Sequence, residues 1–248
     1  MLSDFPHERL DVYRLYLETT RECESILSQA KPMIVALDHL DRAMESIGVN
    51  LMRANAQAPG SQRRSSYLDV SVASTHECAA ALDVCVARSV VEADTHDVVL
   101  TKLWRIRGML LGMKRVGTDR VREERVPYGT PRFPFVNLDM YQVSLEGVRW
   151  THRLLEQLDS RARTRRKLDI STTGTVLNIA EGHGRATATD QNRFMKTAEE
   201  HAFQTLLLLD LIAARSEAAP PRLAEGKVLQ ARVISMLYAW CAKSGERE

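Results

Sequence analysis

Leu138-Asp139-Met140-Tyr141 repeats Leu10-Asp11-Val12-Tyr13 at an offset of 128 residues, and the correspondence runs on from there. Leu145-Glu146 answers Leu17-Glu18, Arg149 answers Arg21, and Leu155 answers Leu27. Further along, Leu168-Asp169 answers Leu40-Asp41 and Asn178 answers Asn50. With one residue of slippage, Leu209-Asp210 answers Leu82-Asp83. A period this long is not a solenoid unit; it is the size of a small domain. The sequence therefore predicts a duplication in which each copy buries a core of its own.

The hydrophobic pattern within each copy is helical. In the first, Leu37, Leu40, Met44, Ile47 and Leu51 follow at spacings of three and four, the stripe of a packed helix. Helices before and after it carry Tyr13 to Leu27, Tyr67 to Cys85, and Val99 to Met113. In the second copy, Leu138 to Leu155, Leu168 to Ile179, Phe194 to Ile212 and Leu229 to Trp240 repeat the plan. Four amphipathic helices with short loops hide their stripes best against each other. The expected fold is all-α, two tandem antiparallel four-helix bundles. The first spans residues 1–116 and the second 133–248. Between them, 117–132 reads as a linker, since Gly117, Pro127, Gly129 and Pro131 oppose a continuous helix. Phe133 and Phe135 follow, and Phe5-Pro6 precedes the first copy as Phe133-Pro134 precedes the second. Each Phe-Pro is expected to close the end of its own bundle; the alternative for Phe133 and Phe135 is a hook for a partner.

Composition narrows the function. Aromatic residues make up 6% of the chain and the formal net charge is +2, so any surface for nucleic acid has to be local. The four cysteines form no Cys-x-x-Cys pair, and no Glu-x-x-His occurs, so neither a zinc nor a di-iron site is expected. No Gly-x-Ser-x-Gly elbow appears. His152 and His201 lie on inward stripes and are expected at most to form a hydrogen-bonded pair. No cofactor and no catalytic residue is expected. No stretch approaches 18 apolar residues and the start of the chain lacks a signal pattern, which points to a cytoplasmic protein without a membrane.

The second copy carries Val176-Leu177-Asn178-Ile179-Ala180-Glu181-Gly182-His183-Gly184-Arg185, then Phe194 and Ala198. This stretch, with Leu138-Asp139-Met140-Tyr141, resembles a bacterial four-helix-bundle family. That family includes proteins encoded by intervening sequences of 23S ribosomal RNA genes and the accessory variability determinants of retroelements. The resemblance covers about residues 133–242. The first copy is a degenerate relative: Arg53, Ala54 and Ala56 stand where the second has Glu181, Gly182 and Gly184. The resemblance implies a non-catalytic accessory protein that binds RNA or single-stranded DNA and a protein partner, such as a reverse transcriptase or a nuclease. Relatives are single bundles that form pentamers; a covalent tandem alters that stoichiometry, so only an oligomer of unspecified size carries over.

Read as residues, Asn178 to Gly184 is the end of a helix. Gly182 and Gly184 would supply backbone freedom for the turn, Asn178 would bond free carbonyls, and Glu181 needs a fixed cation, Arg185 or Arg149. Arg161, Arg163, Arg165, Arg166 and Lys167 place five cations in seven residues near the start of that helix. With Arg185 they are the candidate nucleic-acid residues, able to neutralise phosphate without reading bases. A solvated loop or an acidic protein partner fits the same run. At the same offset the first copy reads Met33-Ile34-Val35-Ala36-Leu37-Asp38-His39, with no Arg or Lys. The other function class left open is a structural interaction or oligomerisation module with no nucleic-acid role.

Overall fold

The computed structural model describes residues 6–29, 34–115, 132–157 and 162–245. Among these the fold is all-α, with eight helices and no strand. The helices are α1 (Asp11–Gln29), α2 (Val35–Asn55), α3 (Gln62–Ala87), α4 (Ala93–Arg115), α5 (Asp139–Gln157), α6 (Ala162–Gly184), α7 (Ala188–Ala214) and α8 (Pro220–Gly245). Nearly all of the expected linker, 117–132, lies outside the described residues, as does Phe5.

The two series of four helices match in local detail. Each opens with a short 3₁₀ turn beginning at a proline, Pro6–Arg9 and Pro134–Asn137. A 19-residue helix beginning at an aspartate follows in both, α1 and α5. Asn50 Nδ2 donates to the Ser46 carbonyl at 2.9 Å, and Asn178 Nδ2 donates to the Gly174 carbonyl at 2.8 Å. The third helix of each series begins at a hydroxyl cap, Ser61 or Thr187. It ends the same way as well. Ser89 and Ser216 both take left-handed φ, 55° and 57°. In each case the next N–H closes back onto the last turn: Val90 to the Cys85 carbonyl at 2.9 Å, and Glu217 to the Ile212 carbonyl at 3.0 Å.

Within the first series α1 packs on α2 and α4, and α3 packs on α2 and α4. Within the second, α5 packs on α6 and α8, and α7 packs on α6 and α8. The apolar stripes read from the sequence are the buried ones: Leu37, Leu40, Met44, Ile47 and Leu51 on α2, and Leu229, Val233 and Leu237 on α8. The series are not separate, however. Helix α3 also packs along α6 and against α5, and a single contiguous core runs through all eight helices.

Helix α3 explains that junction. From Ser71 to Leu82 every residue except Glu77 is buried, with no exposed face. Apart from His76, Glu77 and Leu82 the run is built from Ala, Ser, Thr, Cys and Val, whose small side chains let neighbouring helices approach from all sides. It is the one described helix long and apolar enough to cross a membrane, and 78% of its most apolar window is buried inside the protein. Cys23, Cys78 and Cys85 sit in this core as free thiols, and burial pushes the Cys23 and Cys85 thiols up to about 12.

Phe133 and Phe135 are buried, as expected for packing residues, but they do not close one series alone. The Phe133 ring meets His76 at 5.2 Å and Trp104 at 5.4 Å, both on the first series; Phe135 meets Tyr141 of the second at 4.7 Å. The pair is a bridge between the two. Phe135→Ala should therefore cost about 3–5 kcal/mol, read as a lowered urea midpoint with the far-ultraviolet dichroism of the native state retained.

Candidate functional site

Helix α6 begins inside the basic run. Its first turn holds no acidic residue, so the cations meet the positive end of the helix dipole uncompensated and raise the local potential. Arg161 and the side chain of Arg163 lie outside the described residues. Arg165 folds back and donates through Nη2 to the Leu155 carbonyl in the last turn of α5. That bond satisfies a helix-end acceptor, so Arg165 helps hold α5 to α6. Arg166 and Lys167 are exposed. Arg165 and Arg166 also border an open cleft of about 680 Å³, lined in addition by Ile34, Arg88, His152 and Asp169.

The floor of the cleft is a buried ion pair between the series. Arg88, at the end of α3, donates through Nη2 to Asp169 Oδ1 on α6. The same carboxylate accepts from Thr173 Oγ1 at 3.3 Å and from the Val35 N–H, the first of α2, at 3.0 Å. One aspartate thus ties the end of α3, the start of α2 and its own helix together. A second link is Tyr141, fully buried on α5, whose hydroxyl donates to Asp83 Oδ2 at 2.7 Å.

The remaining candidate residues occupy the opposite end of α6, about 30 Å away at 1.5 Å per residue. Arg185 pairs with Glu181 and stacks its guanidinium over Phe194 at 4.5 Å. The cation expected for Glu181 is therefore Arg185, not Arg149. Burial, and then nearby Glu77, raise the Glu181 pKa, with Arg185 opposing. The structure does not bring Arg185 together with Arg166 and Lys167.

Helix α6 ends at Gly184, as the sequence reading has it, but the backbone freedom expected of Gly182 and Gly184 is not used: both are helical and neither has positive φ. What they provide is room. A Cβ on Gly182 would lie 2.9 Å from Phe194 Cβ, and one on Gly184 would lie 2.9 Å from His76 Nδ1 on α3. Asn178 likewise bonds backward to Gly174 within the helix and not to terminal carbonyls. His152 and His201 serve separate contacts. His152 sits 3.5 Å from Glu156, whereas the His201 ring fills the space above Gly174, where a Cβ would come within 2.6 Å.

His76 is a further buried titratable group of the junction. Arg107 Nε donates to its Nε2 at 3.1 Å, and His183 of α6 stacks on it at 6.3 Å. Burial, then the charge of Arg107, lower its pKa to about 3. Among the described residues no group of His, Cys, Asp or Glu is placed to hold a metal ion.

The repeat flagged Asp83, Asp169 and Tyr141, but not Arg88 or His76. The available signal was longer than Leu82-Asp83: Ala87-Arg88-Ser89 also recurs as Ala214-Arg215-Ser216. Compared with protein-family models, curated proteins and solved structures, the chain matches none.

Two measurements follow from this geometry. Arg88→Ala leaves Asp169 buried without its cation and should destabilise the fold by about 3–5 kcal/mol in denaturant titration. The lowered His76 pKa makes the folded state favour the neutral ring, so stability is present above the unfolded value of about 6.5. It is lost as pH falls from there toward about 3, with a slope of up to about 1.4 kcal/mol per pH unit. His183 and His201, whose pKa values burial also lowers, share that window. His96 does not: burial pulls its pKa down, but hydrogen bonds to Asp83 and Asp97 prevail and raise it, so its contribution fades only as pH rises through that raised value. His76→Gln should make the acid limb of the stability profile shallower.

Proposed function

We propose that the protein is a non-catalytic accessory or scaffold protein. Its eight helices form two related antiparallel four-helix units in tandem, and the start of α6 receives the phosphate backbone of RNA or single-stranded DNA. The observation that carries this reading is the exposed pair Arg166 and Lys167 at a helix start without acidic residues. In the sequence Arg161, Arg163 and Arg165 stand with them. Cations at that position weaken the helix, so a polyanion is the partner that compensates them. No base edge is read by such contacts, which suits a protein that assists a nucleic-acid enzyme and leaves sequence choice to it. A protein partner such as a reverse transcriptase or a nuclease, cytoplasmic residence and the absence of a membrane role belong to the same proposal.

A second reading, an interaction or oligomerisation module, is favoured by a different observation. Large apolar side chains are exposed on α1, α2 and α7, among them Leu17, Val49, Met52, Phe203 and Leu207.

Fluorescence anisotropy with single-stranded RNA and DNA oligonucleotides tests the first reading. Binding should appear at low salt and weaken steeply as salt rises. Arg166→Glu combined with Lys167→Glu should weaken it about tenfold or more and lower the salt slope by about 1–2. Those residues are exposed, so the melting temperature should hold. Undiminished affinity in the double variant would end the reading.

A further inference from the structure

The junction between the two series uses one face of the first and a different face of the second. The first presents the outer side of α3; the second presents α6 and α5. Because the series repeat, each face has a counterpart; that of α3 lies on α7, and that of α6 lies on α2, of which the start touches α6 within the chain. The outer side of α7 corresponds to that of α3, and α2 with α1 corresponds to α6 with α5. Those counterparts coincide with the exposed apolar residues. His76 and Ala80, buried on α3 at the junction, are matched on α7 by Phe203 and Leu207, which are 43% and 57% exposed. Leu177 and Ala180, buried on α6, are matched on α2 by Val49 and Met52, 47% and 41% exposed.

The polar links of the junction are duplicated as well. Arg88 and Asp169 form the buried pair; their counterparts Arg215 and Asp41 are both exposed. Tyr141 donates to Asp83; the counterparts are Tyr13 and Asp210. The terminal geometry that presents Arg88 recurs in front of Arg215, since Ser89 and Ser216 share the same left-handed conformation. Counterparts of these linking side chains are thus present on two different faces of one molecule; within the chain Asp210 pairs with Lys227, and Arg215 donates to Thr164 Oγ1 at 3.5 Å.

We infer that the protein associates with further copies of itself head to tail, the α7 face of one copy docking on the α1–α2 face of the next in the register of the internal junction, with larger apolar side chains in place of its small ones. Phe203 and Leu207 then cover Met52 and Val49, and Arg215 pairs with Asp41. The contact is heterologous, so it closes into a ring or propagates, according to the rotation relating the two series. The inference uses only the register of the repeat. It goes beyond the nucleic-acid reading and stands apart from it, because Arg166 and Lys167 are untouched by its test.

The test is sedimentation velocity on the full chain at concentrations up to about 0.1 mM, a range that reveals even modest association. The wild type should sediment as species larger than the 28.0 kDa monomer. Leu207→Glu and Val49→Glu, each at an exposed position, should each be monomeric with unchanged circular dichroism and melting temperature. Mixed together they should form a one-to-one dimer and nothing larger, since each retains the face the other has lost. Arg215→Glu should weaken association, and Asp41→Arg in the same chain should restore it. A monomeric wild type overturns the inference, as does an oligomer that both glutamate variants leave intact. An oligomer whose variants fail to complement each other also overturns it, by showing that the contact joins like faces. Oligonucleotide binding by the monomeric variants reports on the nucleic-acid reading independently.

Discussion

The close approach of α3 and α6 is the constraint on which the rest of the structure depends. Alanine, serine and cysteine along α3 let α6 come close, and the missing side chain of Gly184 makes room for the one large group between them, the His76 ring. The contact is dry enough to bury His76 in its neutral form and to enclose the Arg88–Asp169 pair. A buried ion pair contributes little net stability, but breaking it is costly, so its effect is to fix register. Asp169 does so for three elements at once, since it also receives the first N–H of α2.

That junction explains why the two series of helices share one core, and why the candidate site lies where it does. The basic start of α6 sits at the end of the junction, beside a cleft whose floor is the ion pair. Arg165 is occupied in joining α5 to α6, which leaves Arg166 and Lys167 as the exposed charges of the run whose side chains are described. Arg185 is committed to Glu181 and Phe194 at the far end. The four cations whose side chains are described, Arg165, Arg166, Lys167 and Arg185, thus divide between structural and outward positions, and the division is set by which backbone or side-chain acceptors lie within reach.

Much of this was legible beforehand. Helical spacing identified the buried stripes of α2, α4 and α8, and the repeat of Leu-Asp-x-Tyr placed α1 and α5 in register. Asn50 and Asn178, matched in sequence, make the same backward bond. The glycines of α6 were misread because a glycine near a helix end usually marks a turn, whereas these two accommodate a phenylalanine and a histidine from other helices. Phe133 and Phe135 were recognised as packing residues, but the helices they join could not be named from the chain alone.

By itself, the sequence determined the eight helices, their pairing into two matching series and the location of the charge run. Those depend on local periodicity and on comparison of the chain with itself. Only the tertiary structure decided that α3 is buried all round, that Arg88 finds Asp169, and that the second series meets the first through a face unlike its own. These are contacts between residues 81 or more positions apart in several cases. No local pattern encodes them; they arise because α3, built mostly of small side chains through its middle, is the helix that two sets of neighbours can approach at once.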